Sequence, residues 1–453
     1  MEILVINGSP KGDYSYTLQT ALFLQKIMKE IHFSFLNAAK KIFLLEKDFS
    51  EAEKLIDEAD ILLFCYPVYT FIVPSQLHRF IELMKDHYGT EGLQGKYASQ
   101  LTTSKHFYDV TAHGFIMENC QDMGLRFIKG LSADMDDLTS GKGQDEAIAF
   151  GKYLVWCAEN GVFEPFPAKI DDAPKHAAVT VPAGKTIPKN GKTIAVVTDL
   201  AGDDSQLKSM IGRFTARMSG YEIRLVNIHD FPFRGGCISC FSCAADGICI
   251  YKDGFSELLR NEIQTCSAIV IAFSIRDHSM GSVFKTYDDR QFCNGHRTVT
   301  MGMPFGYLVS GDYSREKNLQ LIIDGRAEVG GNFLAGVATD EFDPDREIDL
   351  MAARLDYAIE NHYVQPSNFL GVGGMKIFRD LIWLMQGMMK ADHRFYRSHH
   401  QYDFPQKKWP TMLLMYLVGG MISDPKLKKK IGNKMNEGMI APYKKVLEQA
   451  DRQ

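Results

Sequence analysis

The feature that most constrains this chain is an alternation of short apolar runs with amphipathic stretches, and it occurs twice. In the first series the apolar runs fall at residues 2–7, 33–36, 61–66, 98–103 and 126–128, and helical periodicity falls at 17–30, 49–58, 74–86 and 145–160. Strands that alternate with helices form a parallel sheet covered on both faces. A second series opens at 193–198 and continues at 222–226, 268–273, 307–310 and 333–337. At 453 residues the chain exceeds one ordinary core. The expected organisation is an α/β domain at 1–166, a proline-bearing linker at 167–190, a second α/β domain at 191–362 and a mainly helical extension at 363–453. Each domain is then a doubly wound parallel sheet, whose ligands sit beyond the carboxyl ends of the strands.

Chemistry concentrates at those strand ends. After the first strand comes Gly8-Ser-Pro-Lys-Gly-Asp-Tyr-Ser-Tyr-Thr17. Ser9, Ser15 and Thr17 offer hydroxyls, Lys11 a positive charge, and the following helix its N-terminal N–H groups, which together suit a phosphate. An ordinary capped turn would look similar. The third strand ends in Pro67-Val-Tyr-Thr-Phe-Ile-Val-Pro74, where Tyr69 or Phe71 offers a face for a flat ring. The fourth runs into the donor-rich segment from Thr102 to His113.

The second series carries a different signature. Cys237, Cys240, Cys243 and Cys249 follow the spacing C-x2-C-x2-C-x5-C within one loop, after the second strand of that series. Spacings of two bring sulfurs around one small object, as an iron–sulfur cube requires. Structural zinc and idle thiols are the competing readings. Nine cysteines, four of them clustered, suit metal chemistry in a reducing compartment better than a disulfide framework. The formal charge of −5 gives no reason to expect nucleic acid or an anionic membrane as partner. The most apolar run, 412–422, is too short to span a bilayer. With a strand opening the chain where a leader would stand, the expected location is cytoplasmic.

The G-S-P-K…S-x-T turn, followed by P-V-Y-x-x-x-x-P at the third strand end, resembles the flavodoxin-like NADPH-dependent FMN reductase family. The cysteine loop resembles that of its iron–sulfur flavoprotein branch. The resemblance covers about 1–166 and again about 191–360, as in a tandem duplication. It implies that Ser9, Lys11, Ser15, Tyr16 and Thr17 hold the FMN phosphate. It implies further that Pro67, Val68, Tyr69 and Thr70 line the isoalloxazine ring, with Thr103, Ser104 and His106 at its border. On the same footing, Cys237, Cys240, Cys243 and Cys249 would hold a [4Fe–4S] cluster.

The second copy departs from the flavin pattern. Its first turn, Asp199-Leu-Ala-Gly-Asp-Asp-Ser205, carries Asp199, Asp203 and Asp204 and no basic residue, so it repels a phosphate. Ser274 and Arg276 replace the family's Pro and Tyr, although a K-x-x-x-D-R pattern persists as Lys285, Asp289 and Arg290. One FMN per chain is therefore expected. In the extension, Asp392, His393, Arg394 and Tyr396 form a polar block suited to cover a redox site, while Trp383 and the methionines read as core. The lysine-rich run 426–430 reads as a solvated helix face.

These readings converge on an FMN-dependent, NAD(P)H-linked oxidoreductase that passes electrons through a cluster to an acceptor, with no side-chain nucleophile required. The rival is a non-catalytic flavodoxin-type carrier between protein partners. Small-molecule or protein electron donors and acceptors and a homo-oligomeric state complete the expectation.

Overall fold

The computed structural model describes residues 1–167, 176–181, 191–202 and 204–423. Asp203, most of the proline-bearing linker and the lysine run 426–430 lie outside the described residues. The first sheet comprises β1 (Glu2–Asn7), β2 (His32–Leu36), β3 (Ile61–Tyr66), β4 (Tyr97–Ser104) and β5 (Arg126–Phe127), with β6 (Leu131–Asp134) also pairing β4. Its order is β2-β1-β3-β4-β5 and every pairing is parallel. Ile3, Leu4, Leu62 and Leu63 are buried on alternate faces of central strands, which fixes the register from both sides. The helices α1 (Tyr16–Ile27), α2 (Ala38–Leu45), α3 (Ser50–Glu58), α4 (Ser75–Tyr88), α5 (Asp109–Asp122) and α6 (Gly141–Asn160) complete this domain.

The second domain repeats the plan. Strands β7 (Thr193–Thr198), β8 (Glu222–Asn227), β9 (Ala268–Ser274), β10 (Pro304–Ser310) and β11 (Phe333–Thr339) take the order β11-β10-β9-β7-β8. Read from β8, this is the arrangement of the first sheet read from β2, the doubly wound order of flavodoxin-like folds. Its helices are α7 (Ser205–Arg217), the short α8 (Ser242–Asp246) and α9 (Phe255–Glu257), then α10 (Gly281–Arg290), α11 (Lys317–Gly330) and α12 (Pro344–Asn361). The extension supplies α13 (Phe369–Leu384), α14 (Lys390–Ser398) and α15 (Trp409–Ser423). Met1–Phe395 form one compact unit and Tyr396–Gln453 a second. No helix among the described residues is long and apolar enough to cross a membrane.

In the first domain α2, α5 and β6 are elements the sequence reading did not give. The segment up to His113, expected as a polar strand-end loop, turns into α5 at Asp109. Both sides of α5 are covered, by its own sheet and by α11, and Thr111, Asn119 and Gln121 are buried along with Phe115 and Ile116. A helix covered on two sides lacks the single apolar stripe that announces one.

The two domains meet through equivalent elements, α4 against α10 and α5 against α11. After the third strand of each domain the chain makes the same tight loop. Tyr69 and Ile72 exchange backbone hydrogen bonds of 2.8 and 3.1 Å, and Arg276 and Ser279 exchange bonds of 3.0 and 2.9 Å. Thr70 and Phe71, like Asp277 and His278, take positive φ. Each loop is then gripped by the other domain's helix: Ser75 N–H donates to Asp289 Oδ2 at 2.7 Å, and Ser282 N–H donates to Glu82 Oε1 at 2.8 Å.

At the centre of one grip Lys285 Nζ donates to Tyr69 O at 2.8 Å and pairs closely with Asp289. Both side chains are buried. Removing one partner of such a pair strands the other charge, at a cost of roughly 3–5 kcal/mol. Lys285→Met is therefore expected to lower unfolding stability in urea by about that amount. A loss below about 1 kcal/mol, the range of a surface pair, would mean the ammonium is not holding the interface.

Candidate functional site

A cavity of about 700 Å³ opens beyond the carboxyl ends of the first sheet. Its floor is the turn between β1 and α1. Asn7 shapes that turn by donating to Gly12 O at 3.0 Å and Asn37 Oδ1 at 2.7 Å, while accepting from Ser9 N–H at 3.1 Å. Ser15 caps α1, its Oγ accepting from Leu18 N–H at 3.3 Å. The N–H groups of Tyr16 and Thr17, first in the helix, have no acceptor within it. Ser9, Lys11, Ser15, Tyr16 and Thr17 all line the cavity. Sequence reasoning missed Asn7 because the residue acts on the turn's shape and not on the cavity wall.

The wall beside it is the β3–α4 loop, with Pro67, Val68, Tyr69 and Thr70 at the cavity surface. Thr103 and Ser104, at the end of β4, join them. Thr103 Oγ1 is buried and makes no hydrogen bond, so the cavity offers an unspent donor and acceptor. His106 is not part of this lining; its ring pairs with Asp109 at 2.9 Å.

The opposite wall comes from the second domain. Cys237, Cys240, Cys243 and Cys249 all line the same cavity. The loop that carries them bends through positive φ at Gly235, Ser239, Phe241 and Gly247. A Cβ on Gly236 would fall 2.0 Å from Ser75 Oγ, so the loop backbone presses on the start of α4. Lys11 Nζ lies 5.1 Å from the Phe241 ring centre, and the Tyr69 ring meets Phe292 edge-on at 5.7 Å. Cys237 and Ser239 stand beside the Tyr69 hydroxyl, where burial first and then the Cys237 thiol raise the phenol pKa.

Burial also pushes the Cys237 thiol up to about 12 and the Cys243 thiol to about 11, with neighbouring thiols adding to each shift. Converging soft donors that resist ionisation side by side suit a cationic centre that would hold them as thiolates. A fifth thiol, Cys293, lines the cavity as well. It lies far along the chain from the loop, and helix α10 and the turn after it carry it back. Cys266 lies elsewhere, its Sγ against Glu262 O at 3.2 Å. Cys65 is buried in the first core and absent from the lining.

Arg290 ties the ends of the cysteine loop to α10. Its guanidinium forms two 2.8 Å bonds to Asp253, donates to Gly235 O at 3.0 Å and lies 4.1 Å from the Tyr251 ring centre. Lys285, Asp289 and Arg290 of one helix thus position the aromatic loop and the cysteine loop together.

The extension contributes a wall, though not with the residues expected. Phe378, Leu381, Met385, Met388 and Met389 line the cavity, and Phe378 stacks on Phe107 with ring centres 4.4 Å apart. These methionines, read as core, border open space because the segment after α13 continues the apolar side by which Phe378 and Leu381 of that helix close the cavity. Asp392 is buried and accepts from His296 N–H at 3.3 Å, with Arg297 Nε 3.5 Å away. It braces the turn 295–297 and does not face the cavity, nor do His393 and Arg394 line it. Tyr396 opens the second compact unit.

The corresponding turn of the second domain is closed by its own carboxylates. Asp204 Oδ1 accepts from Leu207 N–H at 3.0 Å, and its other oxygen accepts from the Ser274 hydroxyl. Asp199 is buried, and burial raises its pKa to about 6 against a tempering effect of Arg276. A folded pKa above the unfolded 3.8 means the folded state holds the proton longer. Stability from this group is present below pH 3.8 and is lost as pH rises through 6. Asp199→Asn should remove that decline and leave the protein more stable than the parent at pH 7, by denaturant titration at pH 4, 6 and 7. Parallel pH curves for the two proteins would contradict the assignment. Separately, Arg290→Lys keeps the charge but loses the two-pronged bond to Asp253. Proteolysis within 235–253 should accelerate in that variant while cleavage elsewhere does not.

The sequence profile of the NADPH-dependent FMN reductases matches residues 1–113. An iron–sulfur flavoprotein of Archaeoglobus fulgidus is 24% identical over 195 residues, covering 40% of this chain and 85% of that protein. Among solved structures, a putative quinone reductase from Klebsiella pneumoniae aligns with 34% of this chain and 84% of its own, at 16% identity and a TM-score of 0.28. A WrbA-like flavodoxin from Agrobacterium tumefaciens aligns with 35% and 97%, at 16% identity and a TM-score of 0.28. The first domain, with its hydroxyl-rich turn and its P-V-Y loop, is thus similar to the NADPH-dependent FMN reductases over residues 1–113, and part of the chain is similar to an iron–sulfur flavoprotein.

Proposed function

We propose that this chain is an oxidoreductase that uses FMN in the first domain and a [4Fe–4S] cluster on the second domain's cysteine loop, fed by NAD(P)H or a protein donor. The observation that carries the reading is the shared cavity: the phosphate-type turn, the aromatic loop and the four thiols face one space. The residues suit both groups. Buried hydroxyls of Ser9, Ser15 and Thr17, free helix N–H groups and Lys11 fit a phosphate, and the unspent Thr103 hydroxyl fits a polar ring edge. The four thiols fit iron, with Cys293 in reserve nearby.

Bound FMN accepts two electrons and releases them singly, which a cluster can relay. The chain's own task is placement. Tyr69 and Val68 present an apolar surface to a flat ring, and Lys11 offsets negative charge between the turn and the thiols. Phe378, Leu381 and the methionines beyond them exclude water from the far wall. Lys285 and Arg290 hold the two loops at a fixed separation. No side chain need act as nucleophile, and no residue is assigned a covalent role.

Anaerobic purification followed by flavin, iron and acid-labile sulfide counts tests the proposal. One FMN and about four irons per chain are expected if the cluster is a [4Fe–4S]. Ser9→Ala with Thr17→Ala should lose flavin while keeping iron, since charge-assisted phosphate contacts contribute roughly 1.5–3 kcal/mol each. Cys240→Ser should lose iron while keeping flavin. NADH or NADPH should bleach the flavin directly; reduction by a protein donor alone would favour the carrier role. Zinc without sulfide would remove the cluster.

A further inference from the structure

A second set of ligating side chains lies at the seam of the two domains, built by α4 and the β9–α10 loop. His78 and Glu82 sit one turn apart on α4, and Asp277 comes from the loop. One ligand atom from each lies within 4.8 Å of the other two. His78 is buried, with 0% exposure, and neither ring nitrogen makes a hydrogen bond. Its Nε2 stands 3.7 Å from Asp277 Oδ2 and 3.9 Å from Glu82 Oε1. Those gaps exceed a hydrogen bond between an imidazolium and a carboxylate. They are close to the separation of about 3.4 Å between ligand atoms around a tetrahedral ion with bonds of ~2.1 Å.

The duplication supplies an internal comparison. Tyr69 corresponds to Arg276 through the shared loop geometry, which pairs Thr70 with Asp277, His78 with Lys285 and Glu82 with Asp289. On the Lys285 side the gap is filled by an ammonium that bonds to Asp289 and to Tyr69 O. On the other side the lysine is a shorter imidazole and the neutral Thr70 is an aspartate. The central ammonium is replaced by an imidazole and one carboxylate is added, while Arg79 and Lys85 approach the carboxylates from their other sides.

The carboxylates are also braced as ligands are. Glu82 takes the Ser282 N–H at 2.8 Å, the Ser282 hydroxyl at 2.7 Å and Arg79 at 2.8 Å. Asp277 Oδ1 faces Lys85 at 3.1 Å, leaving Oδ2 toward His78. The neighbouring trio Glu118, His278 and Glu316 has no such vacancy to fill, because His278 bonds to Asp122 at 2.9 Å and Glu316 at 3.0 Å.

We infer that His78, Glu82 and Asp277 bind a first-row divalent cation of the zinc or manganese class, which joins the two domains as Lys285 does across the seam. Imidazole with two carboxylates suits such ions, and the cysteine loop, being soft, competes poorly for manganese.

The test is titration of the full-length protein with Mn2+, followed by the electron paramagnetic resonance signal of the free ion. The parent should deplete about one Mn2+ per chain, and His78→Gln should bind at least about tenfold more weakly. Should His78→Gln fail to fold, Asp277→Asn takes its place, since the equivalent Thr70 shows that a neutral side chain is tolerated. Thermal unfolding should shift upward with Mn2+ in the parent and not in the variant. No depletion by the parent, or equal depletion by parent and variant, overturns the inference. Depletion that is lost only on replacing the cysteines would place the ion in the loop instead.

Discussion

The buried charges of α10 are the constraint on which the rest of the site depends. Lys285 and Asp289 hold the Tyr69 loop of the first domain, and Arg290 holds both ends of the cysteine loop of the second. A rigid helix carrying all three sets the separation between an aromatic wall and the cysteine loop, whose four thiols line the same cavity. Buried ion pairs gain little net stability over an apolar contact, because desolvation offsets attraction. Their use here is geometric, since an apolar seam would tolerate a slipped loop and these pairs would not.

Duplication explains how one chain holds such a site. Two copies of one fold pack helix against equivalent helix, so a loop from each copy lies within reach of the other. The two domains differ at their sites. The first keeps hydroxyls and Lys11 at its opening turn; the second closes that turn with Asp204 and Ser274. The second grows a cysteine loop after β8, and that loop reaches the cavity of the first. Even the seam is uneven, with an ammonium on one side and an imidazole between carboxylates on the other.

Much of this was legible in the sequence, for identifiable reasons. Strand runs such as 2–7 and 61–66 are buried on both faces and read without ambiguity. The opening turn and the cysteine spacing are local, so Ser9, Ser15, Thr17 and the four cysteines could be named before any fold was known. What was hidden is what depends on folding. Helix α5 is covered on two sides, by its sheet and by α11, and carries no single apolar stripe. Cys293 joins the thiols through α10, and Asn7 acts only on a turn's shape. The methionines just after α13 followed the pattern of core residues, and only their position shows that they border a cavity. His106 and Asp392 looked exposed to a ligand yet are spent on Asp109 and on the 295–297 turn.

The central claim is that the two domains complete a single redox site. Diffraction from anaerobically grown crystals, recorded on both sides of the iron absorption edge, tests it most directly. The account predicts an iron peak enclosed by Cys237, Cys240, Cys243 and Cys249, with flavin density against Tyr69 in the same cavity. A zinc-edge peak at those sulfurs, or flavin density at the Asp199 turn of the second domain, would contradict it.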